Sequence, residues 1–353
     1  MILSSASQDF KGKNNISSKV ASKMPPEEEA SRMGPTWGHG VGVVQGSKVL
    51  VVGCDGDILF ENQTELVKLM REKVLSKDIP LNQSNNTWVR IFLPREALDH
   101  NSSTKLPLIV YFHGGGFILY SAASSNFHDV CANMAIDLHV IIVSVEYRLA
   151  PEHRLPAAYD DAMEALHWVK TTPDDWLRDY ADLSNTFIMG VSSGGNIAYH
   201  AGLRASVEID KLEHLVIRGL ILHQPYFGGS QRTQSELRDN HPTLPLSVCD
   251  LMWELSLPIA DRDHEYCNPK VGDGPQLLEK IKLLGWKVLV VGYDGDILFE
   301  HQIESAKLMR EKGVSVVSQF GEGGYHGVDF VEPARAKALH VVLKNFILSS
   351  LVA

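Results

Sequence analysis

The sequence predicts an α/β protein with a mostly parallel central sheet, helices on both faces and a cap over the C-terminal strand ends. Three observations predict it. Continuous apolar runs such as Leu108-Ile109-Val110-Tyr111-Phe112 and Val140-Ile141-Ile142-Val143-Ser144-Val145 read as strands buried on both faces. Stretches of helical spacing alternate with those runs, the pattern of parallel strands joined by crossover helices. A sharp strand–turn–helix, Gly190-Val191-Ser192-Ser193-Gly194, lies between the apolar Phe187-Ile188-Met189 and a helix pattern from Gly195 to Ala201.

Taken in order, residues 1–46 are polar with little periodicity and are expected to be mostly disordered. Residues 47–73 form a separate, atypical unit, a copy of 286–312. Lys48 through Lys73 recurs as Lys287 through Lys312, differing only at Cys54/Tyr293, Asn62/His301, Thr64/Ile303, Leu66/Ser305 and Val67/Ala306. Each copy reads as strand, acidic loop and helix. Two occurrences at so large an offset do not make a solenoid. Near-identity beyond what a shared fold requires points to segment duplication or a mis-joined gene. The copy is expected to pack loosely or to compete with 287–312 for one sheet position.

The main domain is expected over 74–353. Thr87–Leu93 alternates like a strand at an antiparallel edge. After the strand at 108–112 come a helix at 127–138, the strand at 140–145 and a helix from Pro156 to Lys170 with proline in its first turn. The turn at 190–194 and its helix follow, then a strand at 216–222. Residues 228–280 are polar and irregular apart from a helix near 246–257, and fit an insertion over a site. Strand 287–291, helix 299–312, strand 314–319 and helix 332–349 finish the chain.

Composition narrows the function. The 353 residues allow one large core plus an N-terminal piece. A net charge of −10 argues against nucleic acid and anionic membranes as partners. No apolar run reaches membrane-spanning length. No basic start followed by a long apolar stretch opens the chain, so no signal peptide is expected. The four cysteines (Cys54, Cys131, Cys249, Cys267) are widely spaced without a C-x-x-C, which suggests neither a disulfide framework nor a zinc site. A cytoplasmic location, with the nucleus as a second compartment, fits this usage.

Four pieces fall at the C-terminal ends of predicted strands, where open α/β sheets place their sites. His113-Gly114-Gly115-Gly116-Phe117 follows the strand at 108–112. Its glycines let bare amides approach a ligand, as an oxyanion hole requires. Ser192 sits at the apex of the glycine-flanked turn as the candidate nucleophile, and the amide of Ser193 would complete the hole with those of Gly114, Gly115 and Gly116. Tyr293-Asp294-Gly295-Asp296 offers a carboxylate to orient a histidine. Gly323-Gly324-Tyr325-His326-Gly327 supplies that histidine, which would take the proton from Ser192 and return it to the leaving group. Donor loop, then Ser, Asp and His, is the chain order of α/β-hydrolases.

These motifs, with Tyr147-Arg148-Leu149-Ala150-Pro151-Glu152-His153, Leu155-Pro156-Ala157-Ala158-Tyr159-Asp160-Asp161 and Gly195-Asn196, resemble the plant carboxylesterases of the hormone-sensitive-lipase group over roughly residues 74–350. The resemblance implies hydrolysis of small or medium carboxylic esters through an acyl-serine, with no cofactor and no metal. It places the acid at Asp296, where Asp296-Ile297-Leu298 stands in for an Asp-Pro-Leu-like motif, with Asp294 in reserve. Arg148 is expected to pair with Glu152 beneath the site. Family members usually begin with a stretch that helps cap the site, and 48–73 departs from that.

Other functions share the scaffold. A lyase, dehydratase or cyclase acting on a plant specialised metabolite would use the same groups. A hormone-binding protein is a further alternative, but the gibberellin receptors lack the histidine that His326 provides here. The partner is expected to be a small-molecule ester, bound in a pocket to which Trp and Leu residues of 228–260 contribute.

Overall fold

The computed structural model describes residues 41–45, 48–52, 73–98, 104–238 and 243–351; for the first two stretches it describes the backbone alone. The chain divides into two compact units, 1–72 and 73–353.

In the first unit, β1 (Val41–Gln45) and β2 (Lys48–Val52) pair antiparallel, Val41 opposite Val52 and Gln45 opposite Lys48. Of the stretch 1–46 for which disorder is expected, β1 is extended backbone, and residues 1–40 lie outside the described residues. Val41, Val43 and Val44 favour extended backbone, and the Gly-Ser between the runs is a hairpin signal. In the copy of 286–312, the strand forms as expected, while its acidic loop and helix lie outside the described residues, as does Cys54.

The second unit is built on an eight-stranded sheet of order β10-β9-β8-β7-β5-β6-β4-β3. Its strands are β3 (Val74–Asn82), β4 (Thr87–Pro94), β5 (Leu106–Phe112), β6 (Ile141–Glu146), β7 (Ala181–Val191), β8 (Ile217–His223), β9 (Lys287–Tyr293) and β10 (Ser315–Gly321). All neighbours pair parallel except β3 with β4 and β4 with β6. The edge strand is β3, not the 87–93 strand expected there. β3 mixes Ser76, Lys77 and Asp78 with apolar residues and carries Pro80, which an edge tolerates because one ladder donor is missing. β9 fills the place between β8 and β10, while its near-copy β2 pairs with β1.

Helices cover both faces. α1 (Ser125–Leu138) and α9 (Pro333–Leu351) share one cluster with Ile109, Phe187, Ile221 and Leu289. Burying a side chain the size of Phe127 or Leu343 contributes about 2 kcal/mol. α2 (Ala157–Thr171), α4 (Ser193–Val207), α7 (Gly274–Leu283) and α8 (Phe299–Glu311) run along the other face, where Leu220 lies against Gly202 of α4. The short α3 (Asp175–Tyr180) was not expected; Asp174 caps it, accepting from the amides of Trp176 and Leu177.

Residues 228–280 hold more helix than their composition suggests. α5 (Gln234–Leu237) closes a capping box between Thr233 and Glu236. α6 (Leu246–Ser256) reaches Gly116 in the loop after β5. α7 packs on α4 and belongs to the helical layer rather than to an insertion. It went unseen because only Pro275, Leu278 and Ile281 of its apolar side chains are buried, and Leu283 is 83% exposed. Among the described residues, no helix is long and apolar enough to cross a membrane.

Candidate active site

The turn after β7 is held in one shape by what surrounds it. A Cβ on Gly190 would collide with the backbone of Gly194, and one on Gly194 with the Phe112 carbonyl. Ser192 sits at the apex with φ +55° and ψ −121°, a left-handed value that costs a non-glycine residue on the order of 1 kcal/mol. Two contacts offset that cost. The Ser192 amide donates to the His223 carbonyl at 2.9 Å, and the Ser192 carbonyl accepts from the Tyr226 amide at 2.9 Å. The elbow is thus tied to the end of β8.

The Ser192 hydroxyl meets the loop after β10. Ser192 Oγ lies 2.9 Å from His326 Nε2, and His326 Nδ1 lies 2.9 Å from Asp296 Oδ2. Asp296 is fully buried at the end of β9. Its Oδ2 also accepts from Gln224 Nε2 and Gln302 Nε2, both at 2.8 Å, and its Oδ1 accepts from the Leu298 amide at 2.9 Å. Burial alone would raise the Asp296 carboxyl. The facing His326 and these donors outweigh it and hold the group below the ordinary carboxylate range. Asp294, the reserve acid, does not reach His326; its Oδ1 accepts from the Gly323 amide at 2.8 Å and anchors the start of the histidine loop.

The glycines after β5 lie against the elbow. A Cβ on Gly114 would stand 3.2 Å from Ser192 Cβ. Gly115 has φ +126° and Gly116 φ +61°, both in the region that favours glycine. From α6, Met252 packs on Gly116, and Ser256 Oγ donates to the Gly116 carbonyl at 3.2 Å. Ser193 is the first residue of α4, so its amide is among those without an intrahelical acceptor. Beneath the loop, the Tyr147 hydroxyl donates to the His113 carbonyl at 2.8 Å, and the Tyr147 and His113 rings stack at 4.3 Å. Burial lowers the His113 pKa to about 4 and keeps the ring neutral.

Two expectations need correction. Arg148 pairs with Asp161, not Glu152: Nη2 lies 2.7 Å from Oδ1, and the Arg148 amide also donates to Asp161 at 2.8 Å. Asp161 points inward from α2, while Glu152 is exposed. Trp253, a residue expected to contribute to the pocket, is packed away, stacked on Tyr226 at 4.5 Å and 1% exposed. Gln224 and Gln302 touch the buried carboxylate without having been singled out from the sequence. For Gln224 a signal existed, because it follows β8 directly and so stands at a C-terminal strand end.

A family profile described as the alpha/beta hydrolase fold matches residues 109–330. Carboxylesterase 20 of Arabidopsis thaliana is 52% identical over 281 residues, 78% of this chain and 86% of that protein. The chain belongs to the α/β-hydrolase family. A 3-O-acetylpapaveroxine carboxylesterase of Papaver somniferum is 48% identical over 282 residues, 77% of this chain and 90% of that protein. Among solved structures, an esterase of Pyrobaculum calidifontis superposes with a TM-score of 0.65 at 26% identity, covering 85% of this chain and 95% of the other. In this α/β-hydrolase, as the fold requires, the residues brought together come from the ends of β5, β7, β8, β9 and β10.

Proposed function

We propose that this chain is a serine carboxylesterase in which Ser192 is the nucleophile, His326 the general base and acid, and Asp296 the group that orients and stabilises the imidazolium. Ser192 Oγ attacks the ester carbonyl carbon while its proton passes to His326 Nε2. The amides of Gly114, Gly115, Gly116 and Ser193 form the oxyanion hole for the tetrahedral intermediate. Collapse breaks the bond to the alkoxide, which leaves with the proton from His326. Water then attacks the acyl-serine by the same relay in reverse and releases the acid. No cofactor enters these steps.

The observation that carries this reading is the unbroken contact from Ser192 Oγ through His326 to a buried, ionised Asp296, at 2.9 Å for each link. Carboxylesterases of Arabidopsis and poppy at 52% and 48% identity support the ester as substrate. The poppy enzyme is named for a 3-O-acetyl ester, so short acyl groups on neutral alcohols are the first substrates to offer. Fluorophosphonate labelling and p-nitrophenyl acetate turnover test the assignment. Wild type should label and turn over, and Ser192→Ala should do neither. Undiminished turnover in folded Ser192→Ala would overturn it.

A further inference from the structure

Gln224 is the residue of the site with the most contacts for which the proposed chemistry has no use. It is fully buried, and its backbone takes the left-handed φ +43° immediately after β8. That conformation is uncommon for a residue with a Cβ, and non-glycine cases cluster where the surroundings over-determine the backbone. Here the side chain supplies part of the determination. Its Nε2 donates to Asp296 Oδ2 at 2.8 Å and to the Tyr325 carbonyl at 3.1 Å. Its Oε1 accepts from the Gly327 amide at 2.9 Å. The Gln224 amide nitrogen of the backbone donates to the Val291 carbonyl at 2.8 Å, joining it to β9 as well.

One side-chain amide therefore grips the backbone on both sides of His326 and the carboxylate that faces His326. We infer that Gln224 is a positioning residue that fixes the His326 loop against Asp296 and sets how strongly Asp296 holds the imidazolium. The inference rests on the serine-esterase reading above.

The argument for the second half is electrostatic. Asp296 Oδ2 serves His326 Nδ1 and two glutamine amides at once. Each neutral donor takes up part of the carboxylate charge that would otherwise face the imidazolium, and in a buried site that share is large. Gln302 reaches the same oxygen but makes none of the loop contacts that Gln224 makes. The titratable groups around the carboxylate are His326 and the Cys249 thiol of α6, which burial pushes up to about 12 and keeps neutral. Beyond them, Asp329 is bound by His223 and Tyr293, three residues after His326. Among the described residues, the charge on Gln224's own hydrogen-bond partners is thus that of Asp296.

Two variants of the full-length protein separate the two roles. Gln224→Met keeps the length and removes both the donor and the acceptor. It should lower kcat at least tenfold with KM within twofold of wild type, and move the acid limb of the kcat/KM–pH profile to higher pH. Gln224→Glu keeps an acceptor for the Gly327 amide and, as a neutral acid beside the buried Asp296 carboxylate, replaces the amide donor with a shared proton. It should show the smaller fall in kcat and the smaller displacement of the acid limb. Wild-type kcat and an unmoved acid limb in folded Gln224→Met overturn the inference. Failure of both variants to fold beside a folded Ser192→Ala control assigns Gln224 to the core of the fold, and overturns it equally. Fluorophosphonate labelling of wild type keeps the two proposals apart. An unlabelled wild type removes the esterase reading itself, whereas a labelled wild type with unaltered Gln224 variants removes only the positioning role.

Discussion

The Tyr293 hydroxyl donates to Asp329 Oδ1 at 2.8 Å, while His223 Nε2 lies 2.8 Å from the other oxygen of the same carboxylate. Asp329 follows His326 by three residues, so the ends of β8 and β9 both hold the far side of the histidine loop in sequence. The Tyr293 ring also fills the space beside Gly324, where a Cβ would stand 2.6 Å from Cγ. Tyr293→Phe removes one hydrogen bond to a charged group and should cost about 2 kcal/mol in urea unfolding. Tyr293→Cys takes the residue found at Cys54 in the near-copy and removes the ring too, which should cost about 4 kcal/mol. Equal losses for the two variants would show that the ring does not support the loop.

Arg148 and Glu152 give a contrast that distinguishes a paired residue from a nearby one. The Asp161 carboxylate is almost wholly buried and depends on Arg148 for its charge partner, whose side chain keeps 19% of its exposure. Arg148→Met should cost about 3 kcal/mol, the low end for breaking a buried pair, because the guanidinium retains some water. Glu152→Ala, at an exposed position with no part in that pair, should stay within about 0.5 kcal/mol of wild type. Both are read from chemical denaturation at neutral pH.

These cases show what the sequence makes legible. Ser192, His326 and the glycines at 114–116 stand out because their chemistry restricts residue type: a hydroxyl needs a turn that only glycine neighbours permit, and an approaching amide needs the absence of a Cβ. Asp296 needed the resemblance as well, since Asp294 lies two residues away in the same acidic loop. The partner of Arg148 was misread because Glu152 and Asp161 are both near in sequence, and only the direction of α2 brings Asp161 inward. Gln224 had only its place after β8 to mark it, because a single glutamine forms no pattern. Its role exists only once 72 residues to Asp296 and 103 to Gly327 have folded back on it. β3 and α7 escaped for a different reason, having too few buried apolar positions to show a period.

Gly115 and Gly116 should respond differently to alanine. At Gly115 a Cβ would strike the Leu119 carbonyl, which is backbone and cannot step aside, and φ is +126°. Gly115→Ala should lower kcat/KM by about 10²–10³, the loss expected when an oxyanion donor is displaced. At Gly116 the obstacle is the flexible end of Met252. Gly116→Ala should therefore lose less, and Met252→Ala in the same chain should recover part of it, leaving only the strain of φ +61°. Identical kcat/KM for Gly116→Ala with and without Met252→Ala would show that Met252 does not set the loop's position.

Acid should weaken the fold in two stages. Burial lowers the His113 pKa to about 4, and burial with the nearby Arg204 and His264 lowers that of His200 to about 3, from an ordinary 6.5. Below pH 6.5 the unfolded chain binds protons that these rings refuse in the fold, so stability falls with pH until the folded values are passed. Each contributes a slope of up to about 1.4 kcal/mol per pH unit. The second stage starts near pH 4. Asp296, Asp329 and Glu236 are all held below their ordinary carboxylate values by their hydrogen-bond and charge partners, against the effect of burial. Their contribution is complete above the unfolded pKa and is lost as pH drops through the folded one. Glu146, raised by burial, acts in the opposite sense and offsets part of this. His200 is the residue to test, because its Nε2 has no hydrogen-bond partner among the described residues and its ring stacks on Tyr159 at 4.6 Å. His200→Phe keeps the stack and removes the titration. Urea unfolding of this variant between pH 6 and 4 should show a shallower decline than wild type, and an unchanged slope would place the acid sensitivity elsewhere.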